Sequence, residues 1–310
     1  MRYQSLLNIA RILSNVNTFY TFYMKINHIL PDENNFTEIL TSIPKQPQAL
    51  YYRGILPPRR QKSVAIVGTR KPTAYGKEVA ATLARDLAQR GVIIISGLAL
   101  GIDAIAHKAT LDAGGTTLAV MGNGLHKIYP HTNRALGERI LHEGGAIITE
   151  YEEGVEPLPH HFLSRNRLVS GLADAVVIIE AAKRSGTLNT AMHALEQGRE
   201  VFAVPGNITS PLSAGCNALL LQGATPATCA DDILRIIAPE STSANTQKAL
   251  PLATTALEAR IIELLQGGLR DGEELQKQSG ASASEFSIAL TMLEINGAIS
   301  ALGMNKWRLS

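Results

Sequence analysis

The chain has 310 residues, 45% of them hydrophobic and 18% charged, with a net charge of +2. That is ordinary globular composition, long enough for one sizeable core and one or two small domains. A net charge this small excludes a protein that coats nucleic acid by bulk charge, so any phosphate must be met by a local cluster.

The charge is uneven along the chain. Residues 1–63 carry eight Lys and Arg against three acids, residues 64–238 carry 15 against 16, and residues 239–310 carry six against eight. Cys216 and Cys229 belong to no ligand or disulfide pattern and fit a reducing compartment. The longest apolar run, 92–102, is broken by Ser96 and two glycines and is too short to span a bilayer. The N-terminus MRYQSLLNIARIL lacks a small-residue cleavage site. The expectation is a cytoplasmic protein with no membrane association.

Taken in chain order, residues 1–47 read as a short helical region, with TFYTFYMKINHIL (18–30) apolar and aromatic enough for a helix. LTSIPKQPQALYYRGILPP (40–58) has the Pro and Gly punctuation of an extended connector. Six runs then look like buried strands: SVAIVG (63–68), VIIIS (92–96), TTLAVMG (116–122), AIITE (146–150), DAVVIIE (174–180) and EVFAVPG (200–206). Near-continuous β-branched runs of this length suit a parallel sheet covered on both faces. Between them, YGKEVAATLARDLAQRG places Val79, Leu83 and Leu87 on one helical face and ends at Gly91; NTAMHALEQG stops likewise at Gly198. This alternation predicts an α/β fold over 48–238, an extended, Rossmann-like, doubly wound, mostly parallel sheet. Residues 239–255, rich in Ser, Thr, Pro and Ala, read as a linker. Residues 256–310 read as three short helices and a closing hairpin, a small C-terminal winged-helix-like domain. Its would-be recognition helix, SASEFSIALTMLEING, holds no Lys or Arg, which favours a protein-contact or packing module over DNA reading.

Doubly wound sheets bind ligands beyond the carboxyl ends of their strands, and the polar signals gather there. Gly68-Thr69-Arg70-Lys71 follows the first predicted strand. SGLALGID (96–103) follows the second, with Ser96 and Gly97 placed to offer backbone N–H groups at a helix start. Then come Gly122-Asn123-Gly124 with Ile128-Tyr129-Pro130 and Asn133, then Glu180 through Lys183-Arg184-Ser185-Gly186-Thr187, and last Pro205-Gly206-Asn207. Small residues, amides and cations on one sheet edge describe an anion site with several phosphate pockets. HHFLSRNRLVSG (160–171) adds Phe162 beside Arg165, Asn166 and Arg167, an aromatic with guanidinium groups as single-stranded nucleic acid needs. The plain alternatives stand beside this: Phe162 as core, Arg165 and Arg167 solvated or paired with Glu150 or Glu180, and Asp103 as a cap or pairing partner. His126, His131, His160 and His161 lack metal-ligand spacing, no P-loop motif is present, and no nucleophile–base pair is evident. No metal, cofactor or catalytic residue is expected.

The order of VGTR, SGLAxGID, GTTxAVxGxGxxxIYPxxN, FxxRNR, EAxxxSGTLxTA, ALEQGREVFAVPG and GxNxLxxxGA over about 48–238 resembles the DNA-processing protein A (DprA/Smf) family. The tail at 255–310 resembles that family's winged-helix-like domain. The resemblance implies a non-enzymatic, homodimeric protein that binds single-stranded DNA, protects incoming DNA and promotes RecA loading in natural transformation and recombination. Single-strand-binding protein is a further partner it implies. Carried over motif by motif, it assigns DNA binding to Gly68, Thr69, Arg70, Ser96, Gly97, Gly122, Phe162, Arg165, Asn166, Arg167, Lys183, Ser185, Gly186 and Asn207. Leu100, His126, Leu163 and Asn189 depart from the family pattern, and the family's N-terminal helical domain is represented only by the short region 1–47. The competing reading is a nucleotide-binding or nucleotide-hydrolysing enzyme of the lysine-decarboxylase-like Rossmann group. The comparable loop here, SGTLNTAMHALE, has Asn189 and no early acid, which favours binding.

Overall fold

The computed structural model describes residues 25–238, 255–296, 298–303 and 305–309. The chain divides into two compact units, Met1–Pro239 and Glu240–Ser310.

The first unit is built on a nine-stranded sheet. Its parallel strands are β3 (Ser63–Val67), β4 (Ile93–Ser96), β5 (Thr117–Val120), β6 (Ala146–Thr149), β7 (Ala175–Ile178), β8 (Glu200–Ala203) and β9 (Thr225–Pro226). All six predicted runs are strands. Alternate residues of β3 serve opposite faces, as a pleated strand requires. Val64 and Ile66 pack with α1 (Ala74–Ala88), through Ala80, Leu83 and Leu87, and with α2 (Ile102–Asp112), through Ile102 and Ala106. Ala65 and Val67 face α4 (Pro159–Leu172) and α5 (Gly186–Glu196), through Leu168, Leu172, Ala191 and Ala194. Among the described residues, three further α-helices belong to the unit: α3 (Arg134–His142), α6 (Ala214–Leu221) and α7 (Ala230–Ile237). The helix ending near Gly91 does so with that glycine at φ 76°, and Gly198 stands at φ 64°.

From β3 the parallel sheet grows one way as β4-β5-β6 and the other way as β7-β8-β9, so the order of the strands reverses between β3 and β7. That switch point opens a crevice beyond their carboxyl ends, which is where such sheets hold ligands.

The N-terminal region differs from the sequence expectation. Within 18–30, residues 18–24 lie outside the described residues, and the remainder forms a strand, β1 (Asn27–Ile29), not a helix. The connector at 40–58 contains a 3-10 turn (Glu38–Ser42) and β2 (Leu50–Gly54). β2 pairs antiparallel with β6 and β1 with β2, so this region extends the sheet. Phe36, Leu40, Ile43 and Leu50 are buried in the core shared with α4. Gly54 is required at its turn: its φ is 87°, and a Cβ there would lie 2.3 Å from the Gly145 carbonyl.

The second unit has its own core of Ile261, Leu265, Leu275, Phe286, Leu290, Leu293 and Ile299. Its helices are α8 (Ala256–Gln266), α9 (Gly272–Ser279) and α10 (Ala283–Ile295), followed by a hairpin of β10 (Ile299–Gly303) and β11 (Lys306–Leu309). Thr255, Asp271 and Ser282 cap the three helices through their side-chain oxygens. The linker expected at 239–255 lies, apart from Thr255, outside the described residues. Among the described residues no helix is long and apolar enough to cross a membrane.

Candidate nucleic-acid interface

A cleft of about 410 Å³ occupies the β3/β7 switch point. Four segments line it: Gly68-Thr69-Arg70 after β3, Ala99 and Asp103 after β4, the first two turns of α4, and Arg184 to Thr187 at the start of α5. Gly68 allows the first segment to sit against α2, because a Cβ there would lie 2.6 Å from the Ile102 side chain. The Thr69 N–H donates to the Glu180 carbonyl at 2.8 Å, tying the loops after β3 and β7 together. Ser185 is the N-cap of α5, its hydroxyl accepting from the Thr187 N–H at 3.2 Å. A helix N-terminus with its partial positive charge thus faces the cleft, flanked by the exposed cations Arg70 and Arg184.

Beneath this rim, the motif residues hold one another. Arg165 is 4% exposed. Its Nη1 donates to the Gly97 carbonyl at 2.9 Å and to the Val120 carbonyl, and its Nε to Asn166 Oδ1 at 3.3 Å. Burial holds its guanidinium down to about 10, with Asp103 pulling the other way and Arg70 adding to the depression. Asp103 accepts from the Gly97 N–H at 3.0 Å and the Ala99 N–H at 3.4 Å. Burial pushes its carboxyl above the ordinary range, opposed by Arg165 and by those N–H groups. Asn133 closes the loop from the far side, donating to the Leu98 and Ala99 carbonyls at 2.9 and 3.1 Å.

This corrects the assignment of Ser96 and Gly97 as phosphate seats. The Ser96 hydroxyl donates to the Ile66 carbonyl at 2.7 Å, and the Gly97 N–H is engaged by Asp103, so SGLALGID is a loop satisfied from within. Glycine is needed at 97 because a Cβ would lie 2.6 Å from the Arg165 guanidinium. Asp103, in the first turn of α2, caps the N–H groups of the preceding loop with Arg165 as a nearby charge. Arg167 likewise leaves the DNA-contacting set: it is buried and paired with Glu150 at 2.5 Å, and it does not line the cleft. Glu180 takes neither arginine. Its carboxylate accepts from the Thr73 N–H at 2.9 Å and the Thr73 hydroxyl at 2.5 Å, at the start of α1.

Phe162 is half-buried, resting over Gly122, where a Cβ would lie 2.9 Å from the ring. The Arg165 guanidinium carbon lies 5.9 Å from its centroid, and the Tyr129 ring 5.6 Å away at 32°. The ring is therefore seated by the fold while still lining the cleft. Asn166 also lines the cleft and donates to the Gly186 carbonyl and to Asn189 Oδ1, both at 3.4 Å, which gives the unusual Asn189 a partner. Lys183 is exposed beside the cleft without lining it. Asn207 stands outside it, its Oδ1 accepting from the Thr209 N–H and hydroxyl at 3.0 and 2.9 Å in a local turn.

Comparison with known proteins follows this geometry. The family model described as DNA recombination-mediator protein A matches residues 27–238. The chain belongs to this family. A model of the DprA winged helix domain matches residues 238–303. The putative DNA processing protein DprA of Mycobacterium tuberculosis is 42% identical over 252 residues, covering 80% of this chain and 64% of that protein. Protein Smf of Escherichia coli is 44% identical over 209 residues, covering 67% of this chain but 56% of that protein. The match thus spans less than two thirds of these relatives. Among solved structures, DNA processing protein A of Streptococcus pneumoniae aligns with TM-score 0.63 at 35% identity, over 70% of this chain and 76% of that one. That of Helicobacter pylori, described for its unique single-stranded DNA binding mode, aligns with TM-score 0.61 at 32% identity over 70% of this chain and 96% of that one.

Within this DprA-family sheet, the cleft brings together Gly68, Thr69, Arg70, Phe162, Arg165, Asn166, Ser185 and Gly186 of the expected set. It also includes Ala99, Asp103, Leu163, Arg184 and Thr187, which the assigned DNA-binding set leaves out, although Arg184 and Thr187 stood among the strand-end signals. Arg184 is adjacent to the chosen Lys183 in a cationic pair, and only the path of the loop separates their roles. Thr187 carried a signal, being the third residue of a Ser-Gly-Thr helix start.

Proposed function

We propose that this chain binds single-stranded DNA in the β3/β7 cleft, protects it, and hands it to the RecA recombinase, acting without catalysis. The observation that carries the reading is one cleft that joins phosphate chemistry to a base-stacking ring: Arg70, Arg184 and the α5 N-terminus line it together with Phe162. The single-strand binding mode named for the Helicobacter pylori relative supports it. The absence of catalysis is supported by the carboxylates' engagement, since Asp103 and Glu180 accept from backbone N–H groups and Glu150 pairs with Arg167. RecA, single-strand-binding protein and a second copy of the chain are the partners proposed from family membership, and the cytoplasm is the proposed compartment.

Fluorescence anisotropy with labelled single-stranded and duplex oligonucleotides across salt tests this. Tight, salt-sensitive binding to the single strand with discrimination against duplex is expected. Binding to neither, with binding of free nucleotides instead, would move the cleft to the enzyme alternative.

A further inference from the structure

We propose that Tyr129 is a second base-stacking residue, so that the strand leaves the cleft over Phe162 and lays its next base on the Tyr129 ring. The inference rests on the single-strand reading above. The sequence names Tyr129 among the strand-end loops but assigns it no role, and it does not line the cleft.

Three observations carry it. First, Tyr129 is 42% exposed, while its ring meets that of Phe162 at a centroid distance of 5.6 Å and an angle of 32°. The two rings form one stepped aromatic surface, with Phe162 at its cleft end. Single-strand binders stack successive bases on such neighbouring rings.

Second, the loop that presents Tyr129 is fixed on both sides. Asn123 is buried and donates to the Gly124 and Lys127 carbonyls at 2.8 and 3.0 Å. Ile128 inserts against α3, where a Cβ on Gly137 would lie 2.9 Å from it. Asn133, just beyond, is anchored to the Leu98 and Ala99 carbonyls. A ring held this way loses little freedom when a base settles on it, which makes the stack more favourable.

Third, the exposed cations Arg70 and Arg184 line the cleft, which Tyr129 does not. Lys127, two residues before Tyr129, is by contrast paired with Glu156. The Tyr129 step therefore offers stacking without a new free cation beside it, and its contribution should be insensitive to salt.

The test uses the full chain and dT oligonucleotides, by anisotropy across salt. Tyr129→Ala should weaken single-strand binding on the order of ten-fold, with an unchanged slope of log affinity against log salt. Tyr129→Phe, which keeps the ring, should bind within about two-fold of the parent. An oligonucleotide with one abasic site moved along its length should show two adjacent sensitive positions with the parent protein and one with Tyr129→Ala. Equal losses in the Phe and Ala variants, or a reduced salt slope, would refute stacking. So would full affinity in Tyr129→Ala. If the parent binds no single strand at all, the functional reading fails; if it binds and only Phe162→Ala weakens it, this inference alone fails. Circular dichroism on each variant separates lost binding from lost folding.

Discussion

The floor and the rim of the cleft draw on the same motifs, yet their polar groups stand in different circumstances. On the floor, Arg165 reaches two backbone carbonyls and lies near Asp103, whose carboxylate in turn holds two backbone N–H groups. On the rim, Arg70 and Arg184 are exposed cations beside a helix start. A buried arginine with internal partners chiefly sets shape, because removing it strands its partners. An exposed one adds little to stability but remains available to an incoming phosphate. The arginines around this cleft thus divide by burial, with Arg165 and Arg167 buried in the scaffold and Arg70 and Arg184 exposed.

The largest expected effect is on the floor. Arg165→Met removes the donors to Gly97 and Val120 and the charge near Asp103, and should cost about 3 kcal/mol in urea unfolding. Arg70→Ala should stay within about 0.5 kcal/mol of the parent in the same assay. Equal stabilities for the two variants would erase the distinction.

A second difference comes from His107, buried beside the floor on α2. Its Nδ1 lies 2.7 Å from the Thr117 hydroxyl, which itself donates to the Ile94 carbonyl, so Nδ1 carries the hydrogen. Its Nε2 is buried without a hydrogen-bond partner among the described residues. Burial, with Arg165 adding to it, pushes the imidazole down from 6.5 to about 3. The unfolded chain then binds the extra proton between those values, so stability is full above pH 6.5 and falls as the pH drops toward 3. The expected slope from this group is about 1.4 kcal/mol per pH unit. Urea unfolding of the parent and His107→Gln at pH 7 and pH 5 checks it. The parent should lose more stability than the variant, and parallel losses would show that His107 is not held neutral.

The rim effects are smaller and appear in binding. Phe162→Ala should weaken single-strand affinity by about 1–3 kcal/mol while the chain stays folded. An unfolded variant would instead return the ring to the core.

Much of the fold was legible because six strands are continuous apolar runs between glycines. β1 and β2 were not, since NHI and LYYRG are short and owe their conformation to pairing, β2 with β6 and β1 with β2. The site was legible as a set of loops at strand ends, and the structure brings Arg70, Phe162 and the Ser185-Gly186 helix start of that set into one cleft. What the sequence does not display is which N–H groups are already engaged. Asp103 stands six residues after Gly97, and nothing in that spacing says that its carboxylate folds back onto the loop. Nor does a motif written RNR tell that both arginines turn inward, one to backbone carbonyls and one to Glu150.

The measurement that tests the account most directly is the salt dependence of single-strand affinity for the parent and the Arg70→Ala/Arg184→Ala variant. Two lost phosphate contacts should make the slope of log affinity against log salt shallower by about 1.4. An unchanged slope in a folded double variant would contradict the claim that the rim cations of this cleft hold the DNA backbone.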